Sequence, residues 1–343
     1  MLRETWRVAV LVGLLVMVGC RSEPETRRAA SPATAPAPEV QVPAASAPPE
    51  MPAPAAQPQA DTLWQWPITP AQLATLKAMK RDERIAVLHS LIPPTYQLHR
   101  VRGQITIDGV LDEADWQSAP PITLREGTLG TTTWYQSTAK MLWDDQYLYI
   151  GWTVSDPNIV STFAKHDEPL WEQDVLEVFI DANSDEKGYV ELHTSPANVH
   201  FDAIFADFRP ETDWFADPTW KRFKDDTMVQ AYDAVGVKSA VKVDGTPNKS
   251  DDTDKGYTVE WAIPFVALRE AKPYEQPAGA VDLNQAPQVP VDLPKPGTVW
   301  RMNLVQCNPS APPLLEGEYP MWVPTTGTSH MPYIFGRVQF MAN

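Results

Sequence analysis

From Leu98 to the C-terminus, apolar side chains recur at every second position in short runs, and no helix-like repeat separates one run from the next. Alternation of this kind sends one set of side chains to each face of an extended strand. Many short strands without intervening helices can close a core as a sandwich or a barrel. In Tyr147 to Val154, Leu148, Ile150, Trp152 and Val154 share one face and Tyr147, Tyr149 and Thr153 the other. Val175 to Asp181, Gly188 to His193, His200 to Phe205, Val235 to Val243, Tyr257 to Ile263, Trp300 to Cys307 and Phe335 to Phe340 read the same way. Asp108-Gly109, Asp144-Asp145, Asn183-Ser184-Asp185 and Asp244-Gly245 supply turns. The expected fold is all-β, an antiparallel β-sandwich of jelly-roll or immunoglobulin-like type over residues 96–343. Two segments break the rhythm: an aromatic stretch around 207–223 and a Pro-rich one around 271–297. Long loops are where function concentrates.

The residues ahead of this domain divide into three. Arg3 and Arg7, the apolar run Val8 to Val18, and Gly19-Cys20 have the order of a signal peptide over 1–19. Met17-Val18-Gly19-Cys20 resembles a bacterial lipobox, which implies that Cys20 is the lipid attachment site and the membrane anchor. Arg21 after it resembles the sorting pattern of outer-membrane lipoproteins. Residues 20–60 are mostly Ala, Pro, Ser, Gln and Glu and cannot build a core. Their spaced prolines favour polyproline II, so about 35 residues reach on the order of 100 Å as a tether. In 61–95, Thr69 and Gln72 form a capping box around Pro70, which predicts one helix over about 70–91, ended by Pro93-Pro94.

A formal charge of −16 makes nucleic acid a poor partner. With Cys20 lipidated, Cys307 has no cysteine to pair with, so core burial replaces disulfides. The six His residues include no pair at metal-ligand spacing and no Cys cluster exists, which argues against a catalytic zinc site. Asp181–Glu186 and Asp251–Asp254 are oxygen-rich turns of the kind that hold calcium, or are simply solvated.

Four stretches carry a resemblance: Ile107 to Trp116, Leu142 to Ile150, Trp171 to Asp181, and Gly256 to Phe265. Together they resemble the family-9 carbohydrate-binding modules and their DOMON-like relatives. The resemblance implies a β-sandwich, often attached to glycoside hydrolases, that binds oligo- or polysaccharide without catalysis and holds structural calcium. It gives Trp171 the role of a stacking surface for a sugar ring, since axial C–H bonds pack on an indole face, and Glu177 that of a hydroxyl acceptor beside it. His193 falls near the family's sugar-contacting arginine, and a His also donates to hydroxyls. The family's second tryptophan is missing, with Trp322, His330 and Tyr333 as replacements. Arg301 and Asn303 share a strand face from which either can bond a hydroxyl. Trp214, Phe215 and Trp220 form a second aromatic group. Three other readings stand beside sugar binding: an envelope scaffold that has lost it, a glycoside hydrolase, and a haem-binding relative using Met141, Met302 and His330.

Overall fold

The computed structural model describes residues 66–205, 228–229, 232–271, 288–310, 318–326 and 328–342. The signal peptide, Cys20, the tether, Trp214, Phe215 and Trp220 lie outside the described residues.

Two helices open the described chain, α1 (Pro70–Ala78) and α2 (Arg81–Ser90), followed by β1 (Thr95–Arg100), the short α3 (Ala114–Ser118), β2 (Ile122–Thr123), β3 (Arg125–Glu126), β4 (Ser137–Trp143) and β5 (Tyr147–Ser155). After these come β6 (Val175–Asp181), β7 (Tyr189–Thr194), β8 (His200–Phe205), β9 (Met228–Val229), β10 (Lys238–Asp244) and β11 (Gly256–Pro264). The C-terminal part adds β12 (Arg269–Ala271), β13 (Gln288–Pro290), β14 (Val299–Cys307), β15 (Pro320–Met321) and β16 (Gly336–Phe340).

The strands follow one another in the order β10-β11-β5-β4-β1-β16-β14-β6-β7-β8-β9. Pairing is antiparallel throughout except at β1, whose Thr95 to Leu98 run parallel to β16 and whose His99 and Arg100 run parallel to β4. That strand joins two layers. A front layer of β10, β11, β5 and β4 turns Ile150, Trp152, Val259 and Trp261 toward a back layer of β14, β6 and β7, which answers with Leu176, Val178, Ile180, Leu192, Met302 and Leu304. The all-β sandwich and its alternation are therefore as expected.

Trp116 is fully buried under the front layer, and Glu260 explains why it sits there. The Glu260 carboxylate, on β11, accepts from the amides of Asp108 (2.9 Å) and Gly109 (2.8 Å) and from Trp116 Nε1 (2.8 Å). Gly109 holds φ +84, and a Cβ there would lie 3.1 Å from the backbone of Val241 and Lys242. Only glycine adopts that turn this close to β10 at no steric cost.

The single lead-in helix expected over 70–91 is two helices. Met79 and Lys80 are extended (ψ 150 for both), and the capping box of Thr69 with Gln72 is present. Leu76 and Leu88 both enter the same apolar cluster. On one continuous helix twelve residues would rotate them roughly 120° apart. The break lets both reach the sheet, and the buried Arg84 guanidinium donates to the Leu76 carbonyl (3.4 Å) at the open end of α1.

Candidate functional site

Alternation in β6, β7 and β14 that fills the inter-layer core with even-numbered residues sends the odd-numbered ones outward. On this outer face of the back layer sit Glu177 and Phe179, Tyr189, Glu191 and His193, and Arg301, Asn303, Val305 and Cys307. Leu76, Leu88 and Leu91 of the lead-in, together with Met331 to Phe335, pack over part of that face.

Trp171 stands in a single 3-10 turn, Leu170–Glu172, immediately before β6. Leu170 is buried and anchors the turn, which leaves the indole half-buried at the margin of the cluster. Its ring meets Phe201 edge-on at 5.2 Å between centroids (81°) and His193 at 6.1 Å (87°). Behind it lies a polar network with almost no solvent contact. His193 Nε2 is 2.6 Å from Glu191 Oε1 and 3.6 Å from Glu177 Oε1, and the Cys307 thiol donates to Glu177 Oε1 at 3.1 Å. Glu177 is 4% exposed and His193 2%. Burial, with the charge of Glu191 adding to it against the opposing pull of His193, pushes Glu177 up to about 7. Burial likewise pushes His193 down.

Trp171, Glu177 and His193 are thus brought together, while the other sequence candidates are placed differently. His330 lies on the same outer face, where its Nδ1 is 2.7 Å from the Tyr189 hydroxyl, and burial drives it down to about 3. Arg301 is ion-paired with Glu186 and donates to the Tyr333 carbonyl at 3.3 Å. Asn303 is fully buried and holds the chain at Val323, donating to its carbonyl (2.9 Å) and accepting from its amide (2.9 Å). Buried and turned to the backbone at Val323, the Asn303 amide is out of reach of a ligand hydroxyl. Trp322 faces the inter-layer core, edge-on to Tyr96 at 6.4 Å, and lines a separate cavity of about 870 Å³ beside Trp66 and Gln97. It is on the wrong side of the back layer to oppose Trp171. Met141 and Met302 are fully buried between the layers, across the sheet from His330, so these three cannot share one haem. Cys307 is buried and free.

Glu191 and Cys307 complete the network behind Trp171. Glu191 was visible only as a face-mate of His193, and nothing in the spacing of Cys307 connects it to Glu177.

Oxygen donors for a hard cation gather at one end of the sandwich. Asp156 and Asp174 are completely buried, and each keeps one carboxylate oxygen without a hydrogen-bond partner among the described residues. The buried Asn308 stands close enough to Asp156 to hold its carboxyl down by a hydrogen bond against the upward push of burial, and Asp156 and Asp174 share one with each other. Burial, then the charge of Asp156, pushes Asp174 up to about 8. Asp254, from the second turn singled out in the sequence, adds its charge while accepting from the Ile159 and Thr246 amides (2.8 and 2.6 Å). Calcium takes six to eight such oxygens, so this donor set suits it. In the other turn Asp181 accepts from the Glu186 amide at 3.0 Å and Glu186 pairs with Arg301, while the buried Asp181 Oδ1 has no partner among the described residues.

A family model described as carbohydrate family 9 binding domain-like matches residues 107–342. Among curated proteins, the chain is 29% identical over 178 residues to an exoglucanase of Acetivibrio thermocellus, covering 52% of this chain and 13% of that protein. It is 29% identical over 168 residues to an endo-1,4-beta-xylanase of Thermoanaerobacterium saccharolyticum, covering 49% of this chain and 11% of that one. The chain therefore spans only a small part of these relatives. Among solved structures, a carbohydrate binding module family 9 from Caldicellulosiruptor kristjanssonii in complex with cellotriose is 17% identical, with a TM-score of 0.45 over 73% of this chain and 94% of that one.

Proposed function

Because the chain belongs to the carbohydrate family 9 binding domain-like family, we propose that it binds oligo- or polysaccharide without catalysing a reaction, with a sugar ring laid against Trp171. The observation that carries this is a half-exposed indole fixed edge-on by Phe201 and His193. Glu177 and His193 stand directly behind it, so a hydroxyl that reaches past the ring meets an acceptor and a ring nitrogen. Arg301 and Asn303 are engaged elsewhere and play no part. With Trp322 on the far side of the layer, the platform is one-sided, which fits a ring lying flat on a wall better than one clamped between two.

Cys20 carries the lipid, and the Pro-rich tether holds the sandwich away from an outer membrane, where it supports polysaccharide breakdown by other proteins. Asp156, Asp174 and Asn308 would hold a calcium ion, whose role is to neutralise buried carboxylates.

A second reading has its own support. Glu177, His193 and His330 are each less than 5% exposed, which is what a sandwich that has become an envelope scaffold would show.

Calorimetry with cello- and xylo-oligosaccharides separates the two. Trp171→Ala should weaken binding at least tenfold while costing about 1–2 kcal/mol of stability for the lost edge contacts. Absence of binding to a broad glycan array would favour the scaffold, and a Trp171→Ala variant that binds normally would remove the stacking site. Radiolabelled palmitate incorporated by the wild type and lost in Cys20→Ala tests the anchor.

A further inference from the structure

A cavity of about 280 Å³ opens where the start of β8 approaches the segment leading into β10. Three side chains from distant parts of the chain meet at its wall. His166, Asp202 and Asp233 each present a ligand atom, and these atoms lie within 4.8 Å of one another. His166 is exposed in the loop before the 3-10 turn, Asp202 is buried on β8, and Asp233 is exposed ahead of β10.

The geometry within this group is that of a metal site. His166 Nε2 is 3.3 Å from Asp202 Oδ2, which is about the separation of two ligands each about 2.0–2.1 Å from a tetrahedral zinc ion. The other ring nitrogen, Nδ1, is 3.0 Å from the Asp167 carboxylate. A carboxylate on one imidazole nitrogen that aims the second nitrogen at the ligand position is the usual outer shell of a metal-bound His. Asp167 is itself fixed, since its amide donates to the His200 carbonyl at 3.1 Å and its backbone sits at φ 64.

An independent feature points to an absent ligand. Asp202 is 4% exposed, and its Oδ1 has no hydrogen-bond partner among the described residues. Thr194 Oγ1 and Trp261 Nε1, whose residues also line the cavity, are buried and unpartnered in the same sense. Buried polar atoms left without partners are costly and call for an occupant.

We propose that His166, Asp202 and Asp233 form a site for a divalent transition metal of the zinc class, with Asp167 as the positioning residue for His166 and the fourth coordination position open to the cavity. One imidazole with two carboxylates favours zinc over calcium, which takes more ligands and all of them oxygen. The open position is occupied by water or by an oxygen of a molecule in the cavity. The metal also ties together three segments that are distant in sequence. The cavity shares His193 and Phe201 with the surroundings of Trp171, but none of the proposed ligands belongs to the sugar-binding reading.

The test uses the full chain without an affinity tag, stripped with chelator, and titrated with zinc chloride by calorimetry and with cobalt chloride by visible absorption. One equivalent of zinc should bind, and cobalt should give the intense visible bands of a four-coordinate centre. His166→Ala and Asp202→Asn should each weaken zinc at least tenfold, and Asp167→Asn about tenfold. Glu177→Gln, which alters the other His–carboxylate group without touching the cavity wall, should leave the zinc affinity unchanged. His166 is exposed, so His166→Ala keeps the test valid if Asp202→Asn fails to fold. Absence of zinc binding at high micromolar concentration, affinity unaffected by His166→Ala, or loss confined to Glu177→Gln would each overturn the assignment.

Discussion

Replacing Asp174 with Asn should make the metal-free protein more stable, and by an amount that grows with pH. The carboxyl is fully buried beside Asp156, which shares its environment and is also shifted upward by burial. Asn retains an oxygen for the Val160 amide that Asp174 now accepts from. A carboxyl moved from 3.8 to about 8 costs, at about 1.36 kcal/mol per pH unit, on the order of 5 kcal/mol to ionise in place. The sign follows from proton counting. Below about pH 4 both folded and unfolded chains hold the proton and the penalty is absent. Between about 4 and 8 only the folded chain holds it, so wild-type stability falls as pH rises, and the full cost is reached above about 8. Urea unfolding followed by tryptophan fluorescence, in chelator, should show the variant and the wild type nearly equal at about pH 4, with the variant ahead by several kcal/mol at about pH 8. Millimolar calcium at the higher pH should restore the wild type, since a cation that binds only the native state adds its own binding free energy. It should do little for Asp174→Asn. A stability difference that stays flat across this range, or an equal calcium effect on both proteins, would refute the argument that ionised Asp174 is a buried, uncompensated charge awaiting a cation.

Glu260→Ala should cost about 3–5 kcal/mol, because three donors lose one buried acceptor at once; a thermal melt within a degree or two of wild type would contradict it. Asn303→Ala should cost about 2–3 kcal/mol by freeing the chain at Val323, with oligosaccharide affinity unchanged in calorimetry. Parallel loss of affinity would return Asn303 to the sugar site.

The strands were legible because period two survives burial on both faces. Val175 to Asp181 is buried at every position, yet Leu176, Val178 and Ile180 still separate from Glu177 and Phe179 by layer. The stacking candidate was legible too, since Trp171 stands between a polar loop and that strand. Three things were hidden for a common reason, which is that alternation gives a residue's face and nothing about which distant segment covers it. Asn303 and Arg301 share an outward face in sequence, but their partners, at Val323 and Glu186, come from other parts of the chain. His166 stands at metal-ligand spacing from no other His, and its neighbours in space lie on β8 and ahead of β10. The break at Met79 and Lys80 has no Pro or Gly to announce it, and follows from where Leu76 and Leu88 must go.

That distinction bears on how a sandwich of this kind stays folded. Its one cysteine among the described residues is a buried thiol facing Glu177. The apolar interior between the layers does most of the work, but it is bordered by carboxylates placed where water does not reach: Asp156 and Asp174 at one end, Asp202 at another, Glu177 and Glu191 on the outer face. Burial pushes Glu177, Asp174 and Asp202 well above the ordinary carboxylate range, so these three carry a cost when ionised. Groups so placed weaken a fold unless something positive or hydrogen-bonding meets them in use. The proposed cations at Asp174 and Asp202, and the proposed hydroxyl contact at Glu177, would answer that requirement without any change in the fold.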